Sequence, residues 1–156
     1  MVINELKKKD GISENLRLSR IFIQFNELLK QLKQKQLPHR IIETLNQDIE
    51  ELNSTPLTGN DLRKLIKRKQ TKILKVLEKD LKIVPKDYYR NLWLAVGTST
   101  FGIPIGMAFS SIFANNLASF IVVGLPVGLV IGMSLGSSMD KKAYNEGRQL
   151  DIYIKY

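Results

Sequence analysis

Lys64, Arg68, Lys72, Lys75, Lys79, Lys82 and Lys86 follow one another at steps of three or four residues. On a helix that spacing lines the cations along one side. The chemistry open to such a stripe is ion pairing with phosphate, and Arg90 extends it toward the apolar half of the chain. The plainest reading is a solvated face that keeps a small helical domain soluble. Anionic lipid is the functional alternative, because each Lys or Arg near a headgroup surface contributes roughly 1 kcal/mol. Nucleic acid ranks last: charge alone binds it without specificity, and no aromatics for base stacking are interleaved with the cations.

Other reactive side chains are scarce. His39 is the single histidine and there is no cysteine, so disulfides, thiolate metal sites and cysteine nucleophiles are excluded, and the usual zinc ligand sets cannot be assembled. Adjacent acids such as Glu50 and Glu51 point in different directions on a helix. No phosphate-binding loop, dinucleotide fingerprint, nucleophile elbow or paired-histidine metalloprotease motif is present. The sequence therefore predicts no catalytic residue, no metal and no cofactor. The lack of cysteine fits a reducing compartment.

Charge divides the 156 residues in two. Twenty of the 24 Lys and Arg, and twelve of the 15 acids, precede residue 91; that part is long enough for one small domain. Leu18, Ile21, Phe25, Leu28 and Leu32 predict a helix from a Ser13 cap to about Gln36. Leu37-Pro38 breaks it, with Pro38 suited to the first turn of a second helix marked by Ile42, Leu45, Ile49 and Leu52. After the turn at Asn53-Ser54-Thr55-Pro56, Thr58 and Asp61 resemble a capping box opening a third helix. Its apolar side carries Leu62, Ile66, Ile73, Leu77 and Leu81, and Pro85 is expected to end or kink it.

Residues 91 to 139 contain no Asp, Glu, Lys, Arg or His. The run predicts two membrane spans of about 23 residues, from near Asn91 to Ala114 and from Leu117 to Met139, joined by an Asn115-Asn116 turn. Tyr88, Tyr89 and Trp93 are expected to anchor the entry at the headgroup level. Cations flank the run (Lys82, Lys86, Arg90; Lys141, Lys142, Arg148) and none lies at the tip, so both termini are expected in the cytoplasm. The opening residues MVINELKKKD have no signal-peptide character, which leaves targeting to the apolar run.

Small residues recur every fourth position on both spans: Thr98, Gly102, Gly106, Ser110 and Ala114 on the first, Gly124, Gly128, Gly132 and Gly136 on the second. Such faces let helix backbones approach closely in lipid. The two faces can close on each other within one chain, or one can serve a neighbouring subunit. Pro104 and Pro126 are expected to bend the spans. Ser99, Ser110, Ser111 and Ser119 could line a narrow wet path, though such hydroxyls more often bond to their own helix.

The exit reads Asp140-Lys141-Lys142-Ala143-Tyr144-Asn145-Glu146-Gly147-Arg148. The glycine repeat followed by D-K-K-A-x-x-E-G-R resembles the C-terminal end of small, uncharacterised prokaryotic membrane proteins with glycine-zipper hairpins. The likeness covers about a third of the chain and implies a shared membrane module in a prokaryotic cytoplasmic membrane, without catalytic residues or substrate. Residues 151 to 156 alternate as a short strand would, or else lie along the surface.

The sequence thus predicts an all-α membrane protein. A basic cytoplasmic three-helix bundle or coiled coil (1–87) precedes an antiparallel two-helix transmembrane hairpin (88–139) and a basic, aromatic cytoplasmic tail (140–156). The function this suggests is self-association into an oligomeric membrane assembly: a pore, a membrane-perturbing effector or a scaffold. A small accessory subunit of a larger transporter or secretion complex is the alternative, and a tether to lipid or nucleic acid the third.

Overall fold

The computed structural model describes residues 2–9, 11–13, 15–112 and 120–154. The fold is helical. In chain order it contains α1 (Leu16–Lys33), α2 (His39–Ser54), α3 (Gly59–Leu81), α4 (Tyr88–Ile112) and α5 (Val122–Asn145). Two two-residue strands, β1 (Val84–Pro85) and β2 (Gln149–Leu150), pair with each other. The chain divides into two compact units, Met1–Val84 with Leu150–Tyr156, and Pro85–Gln149.

In the first unit α1, α2 and α3 turn their apolar stripes to a common core. Phe25, Leu28, Leu32, Ile49 and Leu77 lie fully inside it. The segment before α1 has no regular structure yet contributes Ile3, Leu6 and Ile12 to that core. Two asparagines on α2, two turns apart, hold it. Asn46 accepts from the Asn4 N–H (2.8 Å) and donates to the Val2 carbonyl (3.0 Å). Asn53 does the same for the Lys7 N–H (2.8 Å) and the Glu5 carbonyl (3.0 Å). Each side-chain amide substitutes for a neighbouring strand and satisfies one donor and one acceptor of the extended backbone.

Several helix boundaries differ from the sequence reading. Asn15, not Ser13, caps α1, accepting from the Arg17 and Leu18 amides at 3.0 and 3.1 Å; asparagine is at least as good an N-cap as serine. Thr58 occupies the N-cap of α3, but its hydroxyl makes no capping bond, and Asp61 pairs with Lys64 at 3.3 Å instead. Pro38 precedes α2 rather than entering it. Helix α3 stops before Pro85: Lys82 takes a left-handed conformation (φ 55°) and Ile83 donates back to the Leu77 carbonyl. The strand near the C-terminus is Gln149–Leu150; the described residues after it are not in a strand.

The second unit contains the two long apolar helices. Thr98–Gly102 within α4 forms a π-helical turn, and Phe120–Gly124 forms another that leads into α5. The prolines explain both. Pro104 and Pro126 lack an N–H, so the carbonyls four residues earlier, Thr100 and Val122, lose their normal donors. Each of these residues sits inside a π turn, where the backbone widens to bond across five residues, as Ile103 N–H does to the Thr98 carbonyl. Helix α5 continues to Asn145, past the expected end at Met139. It then closes on Gly147 (φ 68°), with the Gly147 N–H on the Tyr144 carbonyl and the Arg148 N–H on the Ala143 carbonyl, a Schellman arrangement.

Candidate functional site

The glycines of α4 and α5 face one another. Gly136 lies against Tyr89 and Arg90, Gly132 against Trp93 and Leu94, Gly128 against Gly97 and Gly102, and Gly124 against Gly102 and Gly106. Residue numbers fall along one helix as they rise along the other. The contacts are backbone on backbone. A Cβ on Gly97 would stand 2.6 Å from the Gly128 carbonyl oxygen, one on Gly136 2.6 Å from that of Tyr89, and one on Gly128 2.8 Å from Gly102 Cα. Real side chains do not approach so closely, so any substitution there must push the helices apart.

Of the small residues expected on α4, Gly102 and Gly106 are in this contact and buried. Thr98 is half-buried and its hydroxyl donates to the Leu94 carbonyl at 2.7 Å; Gly97, not among the expected residues, is also in the contact. The π turn adds a residue, so the two glycines in contact, Gly97 and Gly102, stand five residues apart. Ser110 is half-buried, and Ala114 and the Asn115-Asn116 turn lie outside the described residues. Ser99 and Ser111 bond to carbonyls of their own helix, at 2.6 and 2.8 Å.

Beyond the glycines the two helices are inside out relative to a water-soluble fold. Only 17% and 22% of their most apolar stretches are buried. Large side chains point outward: Ile112 is 71% exposed and Val122 70%. The core helix of a soluble protein has the opposite distribution. Both helices are long and apolar enough to cross a membrane.

A carboxylate named in the exit motif without a role closes one end of the pair. Asp140, on α5, is 7% exposed and accepts the Tyr89 N–H at 3.0 Å and the Arg90 N–H at 2.9 Å. These are unpaired amides in the first turn of α4, which begins at Tyr88 after a left-handed Asp87. Helix dipole and free amides both favour an anion there. Arg90 pairs with Asp87 at 2.8 Å. The expected anchors occupy the same end. Tyr88 and Tyr89 stack edge-on at 5.1 Å, and Trp93 donates to the Met139 sulfur at 3.0 Å. Tyr88 and Trp93 are half-buried, whereas Tyr89 is buried and its side chain meets Arg148.

The tail motif thereby acquires physical roles. Asp140 caps α4, Ala143 is fully buried, Gly147 turns the chain out of α5, and Glu146 pairs with Arg148.

On α3, Lys64, Arg68, Lys72, Lys75 and Lys79 are exposed along one face. Lys82 is also exposed, and Lys86 and Arg90 are half-buried. The face is not wholly uncommitted, for Lys72 reaches Asp48 at 3.0 Å. Asp48 and Lys69, neither singled out by spacing, form a buried pair at 2.8 Å, and Glu51 also bonds Lys69. Burial lowers the Lys69 pKa, but the bonds and charges of Asp48 and Glu51 outweigh it, and the net shift is upward.

Comparison of the chain with protein-family models, with curated proteins and with solved structures finds no match.

Proposed function

We propose that the chain is a non-enzymatic integral membrane protein in which α4 and α5 cross the bilayer as an antiparallel hairpin. Helices α1 to α3 form a three-helix bundle on the cytoplasmic side, and copies assemble into a homo-oligomeric scaffold. The glycine-on-glycine contact beneath outward-facing apolar side chains carries this reading. Lipid supplies little hydrophobic force to join two apolar helices, so close backbone approach must do so. Because the glycines meet within one chain, the surface left for a second copy is the outward one, including Ile103, Met107, Val130 and Met133. Neither apolar run carries an ionisable group, which favours a scaffold over a conduit for ions or protons. The basic face of α3 is assigned to anionic headgroups, and the flanking cations place both termini in the cytoplasm of a prokaryotic cell.

Two measurements test the reading. The chain has no cysteine, so Asn116→Cys in intact cells reports membrane sidedness alone. An impermeant maleimide should label it and should leave Lys141→Cys unlabelled; the reverse pattern sinks the topology. The mass of the full chain in mild detergent should be a multiple of the monomer and should fall in Met107→Trp or Val130→Trp. A monomer at every concentration removes the oligomer, and co-purification with one large partner instead supports the accessory-subunit alternative. Replacing Lys64, Arg68, Lys75 and Lys79 by Gln should abolish salt-sensitive retention of anionic lipid.

A further inference from the structure

A second cationic feature lies on a different side of α3 from the stripe. Arg63 and Lys67 of α3, and Arg17 and Arg20 of α1, border a groove of about 590 Å³ in the first unit. Among the described residues the only acid lining it is Glu27, whose carboxylate takes a bond from Gln31 on its own helix at 3.4 Å. Among the described residues none of the four cationic side chains has a hydrogen-bond or ion-pair partner. Arg63 is half-buried, and its Nε is enclosed without an acceptor. Enclosing a guanidinium donor without a partner costs free energy that an anion in the groove would return. Elsewhere in this unit the fold places acids against its enclosed cations, as Asp48 and Glu51 do for Lys69. Here it does not.

Apart from Gln24 of α1, the rest of the lining is apolar or aromatic. Ile21 and Ile23 come from α1, and Ile152 and Tyr153 from the C-terminal segment. That segment is fixed by the Asp151 N–H on the Gln31 side chain at 3.2 Å. Ile23 and Tyr153 are well exposed, at 63% and 59%. The groove thus joins three arginines and a lysine, which favour bidentate contact with phosphate, to a surface suited to an acyl chain or an aromatic ring.

We propose that this groove binds a phosphate group carried on an apolar or aromatic body, either a lipid phosphomonoester or a free nucleotide. It does not depend on the oligomer or on the membrane topology.

The test uses the full chain in a maltoside detergent, which contains no phosphate. Phosphatidic acid in mixed micelles and ADP in solution are titrated separately. Each is repeated with Arg63→Gln, with the double substitution Arg17→Gln/Arg20→Gln at two exposed positions, and with Lys75→Gln/Lys79→Gln on the separate stripe. At least one probe should bind the parent chain. Both groove variants should weaken that probe by about tenfold or more, the loss of one charge-assisted pair, and the stripe variant should not. Binding of phosphatidic acid alone identifies a lipid headgroup, and of ADP alone a soluble nucleotide. If neither binds, or if the stripe variant weakens binding as much as the groove variants, the proposal is overturned. Should Arg63→Gln fail to fold, the Arg17/Arg20 variant decides the outcome.

Discussion

Asp140 and Arg90 are fifty residues apart, yet a carboxylate oxygen of the first accepts the backbone N–H of the second at 2.9 Å. The other oxygen takes the preceding amide, that of Tyr89. One side chain on α5 therefore supplies the N-terminal cap that α4 lacks in its own sequence, since Asp87 makes no capping bond.

Removing that cap should cost about 1–2 kcal/mol, the usual worth of an N-cap side chain. In detergent, Asp140→Ala is expected to lower the thermal unfolding midpoint, and Asp140→Asn, which keeps one acceptor, to lower it less. Equal midpoints for Asp140→Ala and the parent chain would show that water replaces the carboxylate at no loss.

The glycine contact makes a sharper prediction. Gly132→Ala should destabilise the helix pair by about 1–3 kcal/mol or more, as overpacking does in a close-fitted core, because its Cβ meets the Trp93 carbonyl. Met133→Leu, next to it but exposed, should be neutral. Spin-label distances between α4 and α5 should broaden in the first variant and not in the second.

Lys69 sets a pH limit on the first unit. Its folded pKa lies above the ordinary lysine value of 10.5. The stability it contributes is therefore complete below that value and lost as pH rises through the folded one. Helix content followed by circular dichroism should melt at falling temperature above about pH 10.5. Lys69→Met alone should cost about 3 kcal/mol at neutral pH by stranding the buried Asp48 carboxylate, moderated by Lys72. Asp48→Leu/Lys69→Met should recover much of the loss.

Two left-handed residues should respond in opposite senses. Lys82 (φ 55°) holds a conformation that costs a side-chain-bearing residue about 1 kcal/mol, so Lys82→Gly should raise the midpoint. Gly147→Ala should lower it by a similar amount, because Gly147 (φ 68°) ends α5. A fall in both would mean that the Lys82 side chain contributes more than its backbone costs.

The sequence was informative wherever a single period governed the contact. Gly124, Gly128, Gly132 and Gly136 sit on an uninterrupted rhythm of four and all meet α4. The same rhythm passed over Gly97, because a π turn upstream of Pro104 sets it five residues from Gly102 rather than four and brings it into the contact. The proline was visible; its effect on register required the backbone. Asp140 and the Asp48–Lys69 pair were hidden for a different reason. Their roles depend on partners fifty and twenty-one residues away, a distance at which helical spacing carries no information. Asn46 and Asn53 were equally silent, since an asparagine in a helix signals nothing until an extended segment is laid beside it.

Leu150, fully enclosed, and Ile152 complete a core otherwise built from residues before Val84. During synthesis α1 to α3 must wait for these two side chains until both apolar helices have left the ribosome. Maturation of the first unit is thus tied in time to synthesis of the apolar segment. A copy stalled before residue 150 carries an unfinished core, open to proteases.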